Sequence, residues 1–259
     1  MLKVLDLFTE QTPVLSAEEI AAKLRYSRPT GYRYVRELVA AGLLVRASGG
    51  YALGPRLIEL DWIIRTQDPV LMASRQAVRE LAMQTGCGVT QMGMYGDHIV
   101  TIHYEPGPTP LEIGFDRGRP MPLFRGAPSK AILAFLPRAR LERLYRKHRG
   151  RGFARFFEEM QAIRKAGYAV SFGELDVGKV GYGAPVFRGD RTVAGSVCLV
   201  LTKAQHDAAD PRFLVDKLLE NASRISDAIA PQDGKNSPAL SRPILSRARD
   251  SRMPSAARR

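Results

Sequence analysis

Arginine is concentrated in one short stretch near the amino terminus. Between Lys23 and Arg56 the chain has seven basic residues and a single acidic one, Glu37. The planar guanidinium group of arginine pairs in a bidentate manner with guanine or with phosphate oxygens, and hydroxyl groups donate to phosphates. Such side chains on one surface are typical of contact with duplex DNA. The candidate contact residues are Arg28, Thr30, Tyr32, Arg33, Arg36 and Arg46.

Two predicted helices joined by a tight turn would position these residues. Ser16, followed three residues later by Glu19, forms a capping box that starts the first helix, and Ser27 with Pro29 starts the second. The candidates other than Arg46 then lie on the solvent-facing side of the second helix, and Arg46 follows in the next segment. Its other side has the i, i+3, i+4, i+7 spacing of a core-facing stripe, formed by Gly31, Tyr34, Val35 and Leu38.

The segment that follows predicts a β-hairpin. Residues 43–53, LLVRASGGYAL, alternate around Gly49–Gly50, a two-residue hairpin signal. A further helix is predicted over the apolar residues between Leu2 and Phe8. Residues 1–54 are therefore predicted to form a winged helix-turn-helix DNA-binding domain, which places its second helix in the major groove. The alternative is a basic helical hairpin that contacts proteins.

The rest of the chain predicts a linker, a second domain and a tail. Residues 55–68 are predicted to form a linker helix, on which Trp62 packs either in a core or at a dimer interface. Residues 69–230 alternate strands and helices, including a strand over Leu111–Phe115, which predicts an α+β domain with a mostly antiparallel sheet. Residues 231–259 are basic and rich in serine and proline, which predicts a disordered tail.

Composition narrows the class of protein. The chain of 259 residues has a formal net charge of +13, which favours polyanionic partners. Its apolar runs are far shorter than the ~20 residues that span a bilayer, and its amino terminus does not resemble a secretory signal. We therefore expect a cytoplasmic, nucleoid-associated protein with no membrane partner. Two cysteines and four histidines show no metal-binding spacing, so no metal and no cofactor are expected.

Seven motifs follow one another in a characteristic order. They are IAAKL, PTGYRYVRELVAAGLL, YALGPRLIEL, MPLFRGAPSKAILAFLP, IRKAGYAV, GELDVGKVGYGAPVF and SVCLVL. With them the chain, from about Val4 to Ile229, resembles the IclR family of bacterial transcription regulators. The resemblance implies a winged helix-turn-helix, a linker helix and a GAF-like mixed α/β effector domain. It also implies a homodimer or dimer of dimers on a double-stranded DNA operator, controlled by a small organic acid.

The resemblance further implies where the effector binds. In the family, the cleft is lined by the helix start of the GKA-like motif, by the segment before the APVF-like strand and by the strand that follows. The corresponding residues here are Ala127, Pro128, Ser129, Lys130, Ser171, Gly181, Tyr182, Cys198 and Val200.

This chain departs from its relatives at several of these positions. Some relatives have a carboxylate in place of Ser171, a cysteine in place of Gly181 and hydroxyl groups in place of Cys198 and Val200. The cleft is therefore expected to be roomier and more apolar, which suits an aromatic acid better than a two- or three-carbon oxo acid. Backbone N–H groups at the helix start, with Lys130, would hold the carboxylate of the effector.

We therefore predict a ligand-responsive DNA-binding regulator without catalytic activity. One alternative is a hydrolase-type enzyme with an accessory helix-turn-helix, although a Cys198–His103 pair would lack a third partner and an oxyanion glycine pattern. Another is an architectural DNA binder whose second domain only dimerises. Turnover assays test the enzyme, and thermal shifts with small acids test the scaffold, because a sensor is stabilised by its ligand.

Overall fold

The computed structural model describes residues 1–230, and the predicted tail over residues 231–259 lies outside the described residues. The chain divides into two units, one from Met1 to Asp68 and a second that begins at Pro69.

The first unit contains helices and one hairpin. After a 3-10 helix over Leu2–Leu7, its elements are α1 (Ala17–Leu24), α2 (Arg28–Ala40), β1 (Leu44–Ala47), β2 (Gly50–Leu53) and α3 (Arg56–Gln67). The α-helix predicted over the first residues is thus a shorter 3-10 helix, which still buries Val4. The core of the unit consists of apolar side chains from every part except α3, among them Val4, Leu15, Ile20, Val35, Leu38 and Leu44.

The helix-turn-helix forms as its sequence predicts. The Ser16 hydroxyl accepts the Glu19 N–H at 3.2 Å, and the Glu19 carboxylate accepts the Ser16 N–H at 2.8 Å, so both partners of the capping box are present. Helices α1 and α2 cross closely at Gly31. A Cβ atom added there would lie only 2.7 Å from the Cβ atom of Ala21. The glycine is therefore required by the crossing, and it fixes the orientation of α2.

The turn of the hairpin lies one residue earlier than predicted. Ala47 pairs with Gly50, so the two turn residues are Ser48 and Gly49. Gly50 instead belongs to β2, because the neighbouring Tyr51 exchanges two backbone hydrogen bonds with Leu15. This close approach leaves no room for a side chain at Gly50, where a Cβ atom would lie 2.4 Å from the Leu15 carbonyl oxygen.

The second unit is built on a five-stranded antiparallel sheet in the order β4-β3-β7-β6-β5. Its helices are α4 (Pro69–Thr85), α5 (Ala127–Leu133), α6 (Arg138–Arg149), α7 (Phe153–Ala166), α8 (Lys203–Ala208) and α9 (Pro211–Ile229). Its strands are β3 (Gly88–Tyr95), β4 (His98–Glu105), β5 (Ala169–Phe172), β6 (Lys179–Phe187) and β7 (Val193–Thr202).

Two cores cover the two faces of this sheet. Helices α4 and α9 pack on one face against the side chains of Val89, Tyr182, Val197 and Leu199. Helices α5, α6 and α7 lie on the other face with Met92 and Met94. Because successive residues of a strand point to opposite faces, β3 contributes Val89 to the first core and Met92 to the second. The α+β class predicted from the sequence is thus the class observed.

The strand predicted over Leu111–Phe115 is wrong, because this segment has no regular structure. Its carbonyl oxygens accept hydrogen bonds from side chains instead of from a neighbouring strand. The Tyr104 hydroxyl donates to the Leu111 carbonyl at 3.2 Å, and the Thr101 hydroxyl donates to the Phe115 carbonyl at 3.0 Å. Across residues 1–230, we find no helix with both the length and the apolar character needed to cross a membrane.

Candidate DNA-binding groove and effector cavity

The first unit has a groove between α2 and the hairpin. Three arginines line it, and the exposed phenol of Tyr32 lies in it as well. The groove residues are Pro29, Tyr32, Arg33, Arg36, Val39, Arg46 and Tyr51. Guanidinium groups from one helix and one strand therefore converge on a concave surface that is open to solvent.

The sequence-predicted contact residues divide into two groups. Tyr32, Arg33, Arg36 and Arg46 line the groove. Arg28 and Thr30, in the first turn of α2, do not line it. There the Thr30 hydroxyl lies 2.9 Å from the hydroxyl of Ser27.

Glu18 adds a negative charge beside this cationic surface, which the sequence analysis did not consider. It extends from α1, accepts a short hydrogen bond from the Tyr32 hydroxyl and lies 3.8 Å from the Arg28 guanidinium. The hydrogen bond lowers the pKa of Glu18 and raises the pKa of Tyr32. Glu18 therefore stays ionised and restrains the Tyr32 ring at the edge of the groove.

The second unit contains a cavity of about 50 Å³ on the α5 face of its sheet. Five residues that the family resemblance selected line it: Pro128, Ser171, Gly181, Cys198 and Val200. Its other lining residues are Thr90, Met92, Ile113, Phe115, Met121, Glu174, Leu175, Asp176, Lys179 and Val180. Strands β3, β6 and β7 form its floor, and the irregular segment before α5 covers it.

Tyr182 does not line this cavity. It follows Gly181 directly in β6, and adjacent strand residues point to opposite faces of the sheet. The Tyr182 ring is buried in the α4–α9 core, where its hydroxyl lies 3.0 Å from Nδ1 of His206. The Tyr182 side chain therefore points away from the cavity, into the opposite core.

The start of α5 is already capped by the chain itself. The Glu174 carboxylate accepts the Gly126 N–H at 2.8 Å, and the Ser171 hydroxyl accepts the Ala127 N–H at 2.9 Å. Pro128 has no N–H to offer. The carboxylate expected at this helix start is therefore supplied by Glu174, and not left to an effector.

Lys130 is held in the same cluster. Its ammonium group lies 2.7 Å from Glu174 and 2.9 Å from Glu159. Burial alone would lower the pKa of Lys130, but the two carboxylates outweigh this effect and raise it. For Glu174, burial alone would raise the pKa, whereas the Gly126 N–H and Lys130 lower it. Lys130 is thus neutralised by the protein, and it does not line the cavity.

Hydroxyl groups provide the remaining polar contacts of the cavity. The Thr90 hydroxyl is fully buried beside the Cys198 thiol of the paired strand, and it has no N–H or O–H partner among the described residues. The Ser171 oxygen accepts one hydrogen bond and keeps its own proton to donate. Ser129 is buried without lining the cavity, and its hydroxyl also has no partner within residues 1–230. The sequence analysis missed Thr90, although the polar Thr90 and Gln91 in an otherwise apolar strand were a usable signal.

Cys198 is a buried apolar residue of this cavity. Burial raises the pKa of its thiol to about 12, so the thiolate needed for nucleophilic attack is not populated near neutral pH. Cys198 therefore lacks the activation that a catalytic nucleophile requires. Among the described residues, no cluster of three or more side chains could hold a metal ion.

Two family profiles match nearly the whole described chain. Residues 65–227 match the family described as "Bacterial transcriptional regulator IclR C-terminal", and residues 1–48 match the IclR helix-turn-helix domain. The protein therefore belongs to the IclR family. It is a transcriptional regulator with an amino-terminal DNA-binding domain and a carboxy-terminal effector domain, and not an enzyme.

Individual relatives agree with this assignment. The HTH-type transcriptional regulator KipR of Bacillus subtilis is 26% identical over 235 residues, which cover 87% of this chain and 94% of KipR. XynR of Escherichia coli is 24% identical over 88% of this chain and 94% of its own length. Among solved structures, a putative IclR regulator from Silicibacter sp. has a TM-score of 0.74 at 20% identity, covering 92% of this chain and 96% of that one.

Proposed function

We propose that the protein binds a two-fold DNA operator through the groove between α2 and the hairpin, in the cytoplasm and on nucleoid DNA. The observation that carries this proposal is the convergence of Arg33, Arg36 and Arg46 on one open concave surface. Arginines from α2 are suited to base edges in the major groove, and Arg46 from the hairpin is suited to phosphates. Arg28 and Thr30, in the first turn of α2, would contact the DNA backbone.

The test is selection of genomic fragments by the purified full-length protein. We expect enrichment of a few fragments with two-fold symmetric sites at moderate salt, in the presence or absence of candidate metabolites. Uniform recovery of all fragments, in both conditions, would contradict sequence-specific binding and would favour the architectural alternative.

Helix α3 supports assembly into a homodimer or a dimer of dimers. None of its twelve residues is buried, although it has several large apolar side chains. Ile58 is 74% exposed, and Trp62, one helical turn later, is 66% exposed. Trp62 therefore does not pack in the core of its own chain, and a second copy is the partner that a two-fold operator requires.

Sedimentation of a Trp62→Asp variant tests this interface. We expect the variant to shift toward monomer at micromolar concentration, while the exposed control Glu59→Gln sediments as the wild type does. A monomeric wild-type protein would contradict the proposed assembly.

The cavity of the second unit supports control by a small organic acid. Met92, Phe115 and Met121 give it apolar walls suited to an aromatic ring, and the Thr90 and Ser171 hydroxyls provide donors for a carboxylate. At about 50 Å³ it has room for a few water molecules. An aromatic acid would therefore require the irregular segment around Ile113 and Phe115 to move outward. An effector that binds one arrangement of the DNA-binding units more tightly than another would then change operator affinity.

A thermal-shift titration with paired ligands tests the effector class. Benzoate-type acids and two- or three-carbon oxo acids are compared with their neutral amides. Stabilisation by an aromatic acid, but not by its amide, is the expected result. Stabilisation by oxo acids alone would show that the effector is an oxo acid and not an aromatic acid. If no acid stabilised the protein, the proposal that the second unit senses a small acid would be contradicted.

A further inference from the structure

The second unit contains a segment that is more basic than the DNA-binding groove. Between Arg138 and Arg155 there are eight lysine or arginine residues and one acidic residue, Glu142. This segment comprises α6, the turn after it and the first turn of α7. None of its side chains lines the cavity of the proposed effector site.

The outer face of α6 is continuously positive. Its inner face buries Leu141 and Leu144. Arg143, Arg146 and Lys147 are exposed and follow the i, i+3, i+4 spacing that places side chains next to one another on a helix. Like charges at this spacing repel each other and destabilise a helix. The charges therefore do not stabilise one another.

Few acidic groups neutralise this segment. Arg146 pairs with Glu142 at 2.6 Å, and Lys147 lies 4.0 Å from Asp97. Of the other exposed arginines, Arg138 and Arg149 lie over the aromatic rings of Phe157 and Phe124. Arg143, Arg151 and Arg155 make no ion pair with any described residue. Exposed ion pairs also contribute little to stability, so the local fold does not explain the accumulated charge.

Helix dipoles explain only part of the pattern. Arg146, Lys147 and Arg149 lie in the last turn of α6, where the negative end of the dipole favours cations. Arg155 lies in the first turn of α7, where the positive end of the dipole disfavours them, and that turn contains no acidic residue. A bound polyanion would attract the positively charged side chains at all of these positions.

We propose that this segment, with Arg143, Arg146, Lys147, Arg151 and Arg155, is a second DNA-binding surface that contacts phosphates without reading bases. The inference rests on the proposed function, because it requires that the protein binds duplex DNA. A twelve-residue helix is about 18 Å long. Duplex DNA carries one phosphate charge per ~1.7 Å of its axis, so α6 faces a dense row of acceptors for guanidinium groups.

The experiment measures the salt dependence of binding to a mixed-sequence 40-base-pair duplex by the full-length protein. The test variant is Arg143→Gln/Arg151→Gln/Arg155→Gln, because these three side chains form no ion pairs that would be broken. The matched control is Arg75→Gln/Arg79→Gln/Arg212→Gln, which removes the same charge from exposed positions on α4 and α9, across the sheet. Thermal unfolding of both variants should match the wild type.

We expect the slope of the logarithm of the association constant against the logarithm of salt concentration to fall by about 0.9 per lost contact, or roughly 2–3 in total. The control should keep the wild-type slope. An equal loss in both triple variants, or a wild-type slope in the test variant, overturns the inference. A wild-type protein that binds no duplex would instead overturn the proposed function.

Anionic vesicles provide the competing outcome. The test variant and the wild type are compared on phosphatidylglycerol vesicles and on neutral phosphatidylcholine vesicles. Loss of binding to the anionic vesicles, together with an unchanged slope on DNA, would show a lipid surface and contradict the DNA proposal. No difference on vesicles, with a reduced slope on DNA, supports it.

Discussion

The groove of the first unit and the cavity of the second differ in whether their charged side chains are paired. In the groove, Arg33, Arg36 and Arg46 are exposed, and the described residues offer them no carboxylate partner. At the cavity, Lys179 lies 3.3 Å from Asp176, and the adjacent Lys130 lies between two carboxylates. The groove therefore keeps its charge for a partner, whereas the cavity region satisfies its own charges.

This difference indicates how each site recognises its ligand. A surface of exposed arginines attracts a polyanion by electrostatics, and the free-energy cost of desolvating the arginines is small until contact is made. A cavity with two hydroxyl donors and apolar walls selects by shape and by a few hydrogen bonds. Mutations in the groove should therefore change binding without changing stability, whereas mutations near the cavity should change stability first.

The largest expected effect is that of Arg33→Ala on operator binding. Loss of a bidentate base or phosphate contact should weaken binding by about 1–3 kcal/mol, roughly 5- to 150-fold. Unfolding should be unchanged because the side chain is exposed. Footprinting and chemical denaturation measure the two effects, with exposed Arg75→Ala as the control. A wild-type footprint would show that Arg33 contacts neither base nor phosphate.

Ser171→Ala should produce the reverse pattern. The substitution leaves the buried Ala127 N–H without its acceptor, which costs about 1–3 kcal/mol of unfolding free energy. Urea denaturation of the full chain measures it, and the exposed Ser48→Ala serves as the control. If Ser171→Ala were as stable as the wild type, the capping hydrogen bond would not contribute to the second unit.

The acid sensitivity of the Glu174 cluster gives a smaller effect. The pKa of Glu174 is lowered from its ordinary value of 4.5 in the folded protein. The stability that ionised Glu174 contributes to the folded protein is therefore complete above about pH 4.5. It is lost as the pH falls through the lowered pKa of Glu174 in the folded state. Glu174→Gln should destabilise the protein by about 1 kcal/mol at pH 7, a discounted value because the site is partly exposed.

The pH profile distinguishes this charge effect from a packing effect. The stability curves of the wild type and of Glu174→Gln should converge as the pH falls below the lowered pKa of Glu174, because the wild-type carboxyl group is then protonated. Parallel curves across this range would contradict the assigned ion pair with Lys130.

Thr90→Val should affect ligand binding while leaving stability intact. The substitution removes a buried hydroxyl that has no N–H or O–H partner within the described chain, and the methyl group that replaces it has a similar size. We expect equal or greater thermal stability and a loss of about 0.5–1.5 kcal/mol in effector affinity. Calorimetric titration with the stabilising acid measures it. An unchanged affinity would exclude Thr90 as a contact.

The smallest expected effect is that of Glu18→Gln on non-specific DNA binding. Removing this negative charge beside Arg28 and Tyr32 should strengthen binding to a mixed-sequence duplex by about twofold at low salt. The gain should disappear at high salt because exposed charges are screened. Weaker binding would instead indicate that the position of the Tyr32 ring, set by Glu18, is what DNA contact requires.

Patterns of neighbouring residues in the sequence predicted the structure of the first unit better than that of the second. The capping box at Ser16, the outer cationic face of α2 and the hairpin all follow from neighbouring residues, and each is present. The exception is the turn, which lies at Ser48–Gly49 because Leu15, distant in sequence, pairs with Tyr51. A contact between distant residues changed a local prediction by one residue.

The sequence by itself determined the family, the two units and the cationic face of α2, because caps, periodicity and ordered motifs are local properties of the chain. Tertiary structure alone decided which side chains share the cavity. Tyr182 lies on the opposite face of its sheet, and Glu174 reaches back over 48 residues to the Gly126 N–H. Such contacts depend on strand order and on which groups compete for the same buried donors, and spacing along the chain does not encode either.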